Sequence, residues 1–416
     1  MRLAVFNNRF PGFVSTFFAR DMRGLLESGV EVDVFAIHPL EPELWRYVPE
    51  LLNDKYLPRE RVHHTSLGGS LRYVRPWPLA KFGAFIQDTA MISASAAKFG
   101  MGPLAKTAYV LLQAWVWAQE HPAKYDHILA YWGNYSGTCA YVYHRLTAPQ
   151  VPFSIFLHAS IDLYRDPLYL REKLLYADNI LTCSDFNAQF IRDHFQDIYT
   201  SVKDKIYVHH HGLDFGELPY EIAGRSPQTI VAVGRLEKQK GFDYLLRAVH
   251  ILRGRNVDPE VELIGEGGES AALKTLAREL QITDKVRFRG WLPFEDVRTA
   301  MRRATLMAHP SPDLGDGVPN VIKEAMALGT PVVASHVAGI PELLAHGRCG
   351  LLVPPRDVQA LAEAIETLLT NEAMRRTYAD AARARTEEKY NLWRNGQRLA
   401  ERLCSTTRLQ HTIRTG

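Results

Sequence analysis

The sequence predicts an α/β protein of two Rossmann-like domains, each built on a doubly wound parallel sheet. A chain of 416 residues is too long for one ordinary hydrophobic core, so two domains of about 200 residues each are expected. In both halves short apolar strands alternate with helical segments, which is the pattern of βαβ units. A segment rich in glycine and proline separates the halves, as a linker would. We therefore predict domains at residues 1–212 and 229–390, with a linker at 213–228.

The first half begins with one such βαβ unit. Leu3 to Phe6 is predicted as a buried strand, Thr16 to Ser28 as an amphipathic helix, and Val30 to Ala36 as a second strand. The turn after the first strand contains Pro11-Gly12 but no GxGxxG motif, so the dinucleotide-binding fingerprint is absent there. This order of elements predicts a parallel sheet with right-handed crossovers.

The segment from His38 to Tyr125 is less regular. Several prolines are followed by two aromatic-rich stretches, predicted as helices near Leu79–Phe99 and Leu104–Gln119. Their apolar runs are shorter than the roughly 20 residues that a membrane span requires. We expect the aromatic side chains to lie in the core, and an apolar binding face or membrane-surface face is the alternative. The residues concerned are Trp77, Phe82, Phe85, Trp115 and Trp117.

Regular alternation resumes in the rest of the first half. The predicted strands are His127–Tyr131, Phe153–Leu157, Ile180–Cys183 and Ile206–His209. Ligands of open α/β sheets bind at the carboxyl ends of strands, which is where His158 lies, although its position fits a structural role equally well. His209, His210 and His211 are adjacent in an extended segment, where neighbouring side chains alternate between faces. We therefore interpret these three residues as structural and predict no metal site.

The second half alternates strands and helices more cleanly. Its predicted strands are Thr229–Gly234, Val261–Gly265, Val286–Gly290, Leu306–His309, Val332–Ser335 and Leu351–Val353. A second doubly wound parallel sheet follows from this pattern. The segment from Asn371 to about Leu403 is predicted as helical, and a break could occur near Tyr390.

The charge, the cysteines and the start of the sequence indicate which binding partners and which cellular compartment to expect for this protein. The net charge of +3 gives no general case for nucleic-acid binding. The four cysteines show neither CxxC nor zinc-site spacing, so reduced thiols are expected. The start of the chain has no long apolar stretch of signal-peptide type, so a cytoplasmic location is expected, with contact at the inner face of the membrane as a further option.

The segment from Gly315 to Ser335 is the strongest candidate for chemistry. Pro319 suits the first position of a helix that would run to about Leu328. Asp316 then lies just before the helix, and Glu324 lies in its second turn. Because the N-terminus of a helix favours an anion, two carboxylates beside it are better suited to accept hydrogen bonds from neutral hydroxyl groups.

Two cations are predicted at the same edge of the second sheet. Arg235 and Lys240 lie in the loop after the first strand of this half, where cations can hold phosphate groups. Cations can bind the phosphate groups of a nucleotide sugar, and carboxylates can accept hydrogen bonds from its hydroxyl groups. The two kinds of residue together therefore indicate a site for a nucleotide sugar. No Asp-x-Asp motif occurs in the chain, so the carboxylate pair that holds a divalent ion is missing and a metal-independent reaction without a cofactor is expected.

The motifs of the second half resemble those of the GT-B glycosyltransferases in the large retaining group called family 4, or glycosyl transferases group 1. The likeness covers nearly all of Thr229 to Leu369. It is carried by Val233-Gly-Arg235-Leu-Glu-Lys-Gln-Lys240-Gly241-Phe, Gly265-Glu-Gly267, Gly290-Trp291, Asp316-x7-Glu324, Gly339-Ile-Pro-Glu342 and Gly350-Leu-Leu-Val-Pro-Pro-Arg-Asp357. The first half matches more loosely, through Phe10-Pro11 and Ser15-Thr16-Phe17, a pattern similar to that of exopolysaccharide-building members.

The resemblance implies two domains that face each other across a cleft, with an acceptor site in the first and a donor site in the second. It implies that Arg235 and Lys240 bind the donor diphosphate, that Glu324 binds the ribose and that Asp316 binds the transferred sugar. His158 would contact an outer hydroxyl of that sugar. The remaining implied donor contacts are Gly12, Gly234, Gly265, Trp291, Gly317, Val318 and Pro319.

The resemblance further implies that a C-terminal helix, residues 391–416, crosses back to the first domain. The variable segment from Leu71 to Gln119 is expected to help form the acceptor site. At Asp316 the chain departs from the family pattern, which usually has glutamate. We expect the shorter aspartate side chain to affect which donor sugar is used and whether the site is active.

The expected function is therefore retaining transfer of a hexose-type sugar from a nucleoside-diphosphate sugar to a hydroxyl group. The acceptor would be a glycan, a lipid-linked glycan or a small molecule. Two alternatives remain open at this stage. One is a nucleotide-sugar epimerase or hydrolase of the same fold, and the other is a non-catalytic subunit that binds nucleotide sugars.

Overall fold

The computed structural model describes residues 1–12, 16–47, 57–64, 79–122, 125–159, 162–164 and 168–415. The chain divides into two compact units. The first unit contains Met1–Gly212 together with Leu392–Gly416, and the second contains Leu213–Asn391. Residues 213–228, where the sequence predicts a linker, are part of the second unit, and Leu213 and Leu218 are buried there.

The first unit is built on a parallel sheet of seven strands in the order β3-β2-β1-β4-β5-β6-β7. The strands are β1 Arg2–Asn7, β2 Glu31–Ala36, β3 Val62–His64, β4 His127–Ala130, β5 Phe153–Leu157, β6 Asn179–Thr182 and β7 Ile206–Val208. The helices are α1 Thr16–Glu27, α2 Leu79–Ala97, α3 Met101–Glu120, α4 Tyr135–Thr147, α5 Leu170–Tyr176, α6 Asp185–His194, α7 Gln196–Val202 and, from the C-terminus of the chain, α15 Leu392–Thr415. Strand β3 and helix α7 have no counterpart in the sequence-based prediction.

The second unit contains a parallel sheet of six strands in the order β10-β9-β8-β11-β12-β13. The strands are β8 Thr229–Val233, β9 Glu260–Ile264, β10 Val286–Gly290, β11 Leu306–His309, β12 Val332–Ser335 and β13 Leu351–Val353. The helices are α8 Phe242–Gly254, α9 Ser270–Glu279, α10 Phe294–Arg303, α11 Asn320–Ala327, α12 Ile340–Leu343, α13 Val358–Thr370 and α14 Glu372–Lys389. The predicted fold of two Rossmann-like parallel-sheet domains is therefore confirmed.

Both faces of the second sheet are covered. Along β8, Val231 and Val233 join one buried hydrophobic cluster, whereas Ile230 and Ala232 join another. Alternate residues of a strand point to opposite faces, so two separate clusters require helices on both sides of the sheet. This arrangement explains why the strands are continuous apolar runs, and it leaves the strand ends as the place for polar chemistry.

The C-terminal helix α15 packs on α1 within the first unit at a pair of glycines. A Cβ atom placed on Gly24 would lie 2.9 Å from the Cα of Gly396, which is closer than real side chains approach. The preceding helix, α14, ends at Lys389, so the break expected near Tyr390 is confirmed.

The aromatic residues of α2 and α3 are only partly described. Trp115 and Trp117 are buried, so their predicted place in the core is confirmed, and Phe85 packs on Trp115 with ring centroids 4.6 Å apart. Trp77 and the side chain of Phe82 lie outside the described part of the chain. Among the described residues no helix combines the length and the apolar character needed to cross a membrane.

Candidate active site

In the second unit, one oxygen atom of Asp316 accepts three hydrogen bonds. Its Oδ2 lies 2.8 Å from Nζ of Lys240, 2.6 Å from Nε2 of His309 and 2.8 Å from Oγ of Ser311. Lys240 comes from the turn after β8, His309 is the last residue of β11, and Ser311 and Asp316 lie in the loop that follows. The carboxyl ends of two neighbouring strands, β8 and β11, therefore meet at this carboxylate.

The electrostatics of this cluster keep Asp316 ionised. Burial by itself raises the pKa of the carboxyl group. The charges of Lys240 and His309, together with their hydrogen bonds, outweigh burial and hold the pKa well below its usual range. Because an ionised carboxylate carries no proton, Nε2 of the buried His309 must be the donor in their hydrogen bond.

The two predicted phosphate-binding cations have different surroundings. Lys240 is nearly buried and is committed to Asp316, whereas the Arg235 side chain is 53% exposed and pairs with Oε1 of Glu237 at 2.6 Å. The sequence suggested separate roles for Lys240 and Asp316, one on phosphate and one on sugar. The structure joins Lys240 and Asp316 in one ion pair, and Arg235 is the more exposed of the two cations.

The helix beside this pair begins one residue later than the sequence predicted. Pro319 has extended backbone angles and precedes the first residue of α11, Asn320, whose buried Oδ1 has no hydrogen-bond partner in the described ranges. Glu324 is buried in the second turn. In the loop before the helix, the carbonyl of Gly317 accepts a hydrogen bond from the Gly339 amide at 3.0 Å, while Val318 packs against the hydrophobic cluster.

Glycines permit close approach of the backbone at this sheet edge. Gly265, after β9, has a φ of +137°, and a Cβ atom there would lie 1.9 Å from the carbonyl oxygen of Gly234. Trp291 follows β10, has an exposed side chain and donates its backbone N–H to Glu266 at 3.4 Å. The donor-site residues proposed for the second half therefore all lie at the carboxyl edge of the second sheet or in the helix that follows it.

Gly12 and His158, the other two residues in the predicted site, belong to the first unit. Gly12 is buried in the turn after β1. His158 follows β5 and is only 6% exposed, and its backbone N–H donates to Oδ2 of Asp162 at 2.8 Å. Neither ring nitrogen of His158 has a hydrogen-bond partner among the residues described, and Nδ1 lies 3.6 Å from Oδ2 of Asp162.

A ring stack holds the His158 imidazole in place. The ring of His211 lies parallel to it, with centroids 5.1 Å apart and an interplanar angle of 3°. Phe156 stacks on both histidines, and Phe17 of α1 lies against them at 5.2 Å and 5.0 Å. The orientation of His158 is thus set by aromatic neighbours as well as by its backbone.

His211 belongs to a buried cluster centred on Asp21 of α1. Oδ1 of Asp21 lies 3.1 Å from Nε2 of His209, and Oδ2 lies 2.8 Å from Nδ1 of His211 and accepts from the Tyr131 hydroxyl at 2.6 Å. Burial raises the pKa of the Asp21 carboxyl, but the charges of His211 and His209 outweigh it and the pKa lies well below normal. Asp21 therefore accepts from all three groups as an anion.

Two of the three adjacent histidines, which the sequence analysis interprets as structural, belong to this cluster. His209 and His211 are two residues apart and so share one face of the extended segment, where both reach Asp21. The ligand atoms of these three residues lie within 4.8 Å of one another, as in a metal site. Each oxygen of Asp21 already accepts a hydrogen bond from the cluster, so we describe it as a hydrogen-bonded network.

A buried lysine supports the loop next to His158. Nζ of Lys173 donates to the carbonyl of Gly133 and, at 3.0 Å, to Oγ1 of Thr138. Burial lowers the pKa of Lys173 to about 7. Oδ1 of Asp162 accepts from the backbone N–H groups of Gly133 and Asn134, so the same loop is held from two sides.

The lowered pKa of Lys173 predicts a pH dependence of stability. From about pH 7 towards the ordinary lysine value of about 10.4, the unfolded chain binds more protons than the folded one, so the free energy of unfolding should rise with pH. Lys173→Met should remove this contribution, whereas Lys203→Met, at an exposed position, should not. Urea denaturation at about pH 7 and about pH 9 measures the difference. Equal pH dependence in the wild type and in Lys173→Met would contradict it.

The sequence-based search missed two members of the site. His309 is the last residue of a strand, and His158 directly follows one. The argument that ligands bind at the carboxyl ends of strands, which pointed to His158, therefore points to His309 as well. Ser311 carries no signal of its own, because serine is common in loops. In the first unit, Asp21 was missed as well, because a single carboxylate on an amphipathic helix is usually a surface residue and only the fold buries it.

Known proteins share parts of this sequence. Residues 227–371 match the family model described as glycosyl transferases group 1. The amylovoran biosynthesis glycosyltransferase AmsK of Erwinia amylovora is 28% identical over 417 residues, which cover 96% of this chain and 98% of that protein. The putative colanic acid biosynthesis glycosyltransferase WcaL of Escherichia coli is 32% identical over 199 residues, or 45% of this chain and 48% of that protein.

Solved structures share the fold over the whole chain. A sucrose-phosphate synthase from Thermosynechococcus elongatus has a TM-score of 0.71 at 20% identity and covers 96% of this chain and 98% of its own. HepE of Anabaena, solved in complex with UDP-glucose, has a TM-score of 0.68 at 18% identity and covers 97% of this chain and 100% of its own.

The fold, the site and these matches define an enzyme of the glycosyltransferase class with the GT-B fold. Within its second unit, residues 227–371 match the glycosyl transferases group 1 model, and over nearly its full length the chain resembles the exopolysaccharide-related glycosyltransferase AmsK. The resemblance of the motifs to GT-B glycosyltransferases of group 1 is thereby confirmed.

Proposed function

We propose that this enzyme transfers a hexose-type sugar from a nucleoside-diphosphate sugar to a hydroxyl group of a glycan or lipid-linked glycan, with retention of configuration and without a metal ion. The observation that carries the proposal is the ionised Asp316 held by Lys240 and His309 at the carboxyl edge of the second sheet. The likeness to HepE, which was solved with UDP-glucose, supports a nucleotide-sugar donor. The likeness to AmsK supports an exopolysaccharide-related acceptor.

The charges of the site suit the departure of a diphosphate. As the bond between sugar and phosphate breaks, negative charge grows on the phosphate oxygen atoms. Arg235 can exchange its exposed partner Glu237 for a phosphate group, and the N-terminus of α11 adds a favourable dipole. Asp316, fixed by Lys240 and His309, would accept hydrogen bonds from sugar hydroxyls and so orient the donor. Glu324 would hold the ribose.

The first test is transfer in the presence of a chelator. Because cations of the chain are available to stabilise phosphate charge and no Asp-x-Asp motif occurs in the sequence, we expect product formation from a panel of nucleotide sugars to continue in excess EDTA. Mass spectrometry of the acceptor measures the product. Turnover that is lost in EDTA and restored by Mg²⁺ or Mn²⁺ would refute the metal-free mechanism, and sugar release without any acceptor would indicate a hydrolase.

The second test is the substitution Arg235→Ala. It should weaken nucleoside-diphosphate binding by about 1.5–3 kcal/mol, the contribution of hydrogen bonds to charged groups. Calorimetry with the free nucleotide measures this change. Arg253→Ala is a matched control, since Arg253 is also exposed and also forms an ion pair, with Asp284 at 2.9 Å. Equal nucleotide affinity in both variants would place the phosphate site elsewhere.

A further inference from the structure

The carboxylate of Asp316 uses its two oxygen atoms very unequally. Oδ2 accepts hydrogen bonds from Lys240, His309 and Ser311, whereas Oδ1 accepts none among the residues that the structure describes. An ionised carboxylate has about four acceptor positions, shared between its two oxygens. Three donors therefore fill Oδ2, and the acceptor capacity that remains lies on Oδ1.

The backbone on both sides of Asp316 is fixed by hydrogen bonds. The Gly315 amide donates to Oδ1 of Asp313 at 2.8 Å, and the Gly317 carbonyl accepts from the Gly339 amide at 3.0 Å. The carboxylate can therefore turn away from its present partners only by rotation of its own side chain. That rotation would break the three hydrogen bonds on Oδ2.

The groups that contact Oδ2 lie mostly in the interior of the second unit. His309 and Ser311 are fully buried, and the side chain of Lys240 is 13% exposed. The Asp316 side chain is 12% exposed, so a ligand can reach part of its carboxylate. Because the fold holds the donors to Oδ2, a hydroxyl group of a bound sugar is expected at the other oxygen.

We propose that Asp316 contacts the donor sugar through Oδ1 alone, and that His309 and Ser311 are positioning residues that enforce this contact by occupying Oδ2. The inference rests on the proposed function, in which Asp316 binds the transferred sugar. A hexose carries hydroxyl groups on neighbouring carbon atoms, and a carboxylate with both oxygens free can accept from two of them at once. Asp316, with Oδ2 filled, accepts from one.

A contact through one oxygen atom defines the substrate class that this residue selects. Removal of the contacted hydroxyl leaves Oδ1 of a mostly buried anion without a donor, which costs more than the loss of a neutral hydrogen bond. The other hydroxyl groups of the sugar do not contact this carboxylate. Asp316 therefore selects hexoses and hexose derivatives that keep one particular hydroxyl group, and it tolerates removal or inversion of the others.

Calorimetry with nucleotide sugars that lack one hydroxyl group tests the contact without turnover. The probes are UDP-glucose and GDP-mannose, each with its monodeoxy analogues, in which one sugar hydroxyl is replaced by hydrogen. In the wild type, the analogue without the contacted hydroxyl should bind about 10-fold to 100-fold more weakly than the parent, the range for a hydrogen bond to a charged group. In Asp316→Ala, which has neither oxygen, this difference should disappear for that analogue and persist for the others.

Variants of His309 and Ser311 test the positioning. Ser311→Ala and His309→Leu each remove one hydrogen bond from Oδ2, so the carboxylate is held less firmly in one direction. Discrimination against the same analogue should then fall about threefold or more. His309→Gln should restore the wild-type discrimination, because the glutamine amide N–H can donate to Asp316 from nearly the same place as Nε2 of histidine.

A merely structural loss would lower the affinity for every sugar by the same factor and leave the discrimination unchanged. Thr305→Ala is the matched control, since Thr305 is also buried, immediately precedes β11 and donates from Oγ1 to the Ser226 carbonyl at 2.6 Å. Its discrimination between parent and analogue should equal that of the wild type. Similar affinity for free UDP or GDP in all variants shows that each one is folded.

The outcomes separate this inference from the proposed function. A single hydroxyl that depends on Asp316, in a protein that transfers no sugar, would support the contact through Oδ1 and refute the proposed transfer. Two hydroxyl groups that depend on Asp316, or none, would overturn the inference even where transfer proceeds. Equal discrimination in the wild type, His309→Leu and Ser311→Ala would overturn the positioning role of these two residues.

Discussion

Asp316→Asn should lower the rate of sugar transfer by about 100-fold or more, the effect expected when one preorganised charged contact to the reacting sugar is lost. Asparagine has nearly the same shape as aspartate but no negative charge. The ammonium group of Lys240 and the buried His309 would therefore lose the anion that both contact. Initial rates with a working donor and acceptor measure the change.

Binding of the free nucleoside diphosphate should change far less in this variant, because Asp316 is expected to contact only the sugar. Asp313→Asn is a suitable control, since Asp313 lies three residues away and its carboxylate accepts from the backbone of Gly315 at 2.8 Å. Asp316→Glu should alter the preference between donor sugars that differ at one hydroxyl group. Wild-type rates and donor ranking in both Asp316 variants would reduce this residue to a structural role in the loop.

His158→Ala should lower the transfer rate by about 100-fold while leaving nucleotide affinity nearly intact. The imidazole is buried, and its nitrogens have no hydrogen bonds among the described residues, so a ligand is the expected partner. The residues proposed to bind the nucleotide belong to the second unit, and His158 belongs to the first. Single-turnover rates and calorimetry together separate the two effects.

Loss of packing must be distinguished from loss of chemistry in this experiment. His144→Ala is the matched control, because His144 is buried in the same unit and its ring nitrogens contact the Tyr176 hydroxyl and the Val151 carbonyl at 2.7 Å and 2.8 Å. This variant should be less stable than the wild type and yet transfer sugar at a similar rate per folded molecule. A His158→Ala variant that keeps the wild-type rate would assign His158 to the core.

Most of the fold could be predicted because local patterns specify it. Buried parallel strands are apolar throughout, and the helices between them repeat their apolar residues at helical spacing, so both signals are visible in short windows. Strand β3 was missed because three residues, Val62–His64, are too few to show a period. Short pieces of this kind are stabilised by their neighbours and not by their own sequence.

The sequence alone determined that there are two parallel sheets, where the loops at their carboxyl ends lie, and which residue types those loops present. Each of these features depends on residues that are close together in the sequence, within about one helix or strand. Only the tertiary structure decided which of these residues meet. Lys240 and Asp316 are 76 positions apart, and Asp21 and His211 are 190 apart. The first contact exists because β8 and β11 are neighbours in the second sheet, and the second because the fold of the first unit brings α1 to the segment that follows β7. The order of strands in a sheet is set by packing across the whole unit, and no local pattern in the chain encodes it.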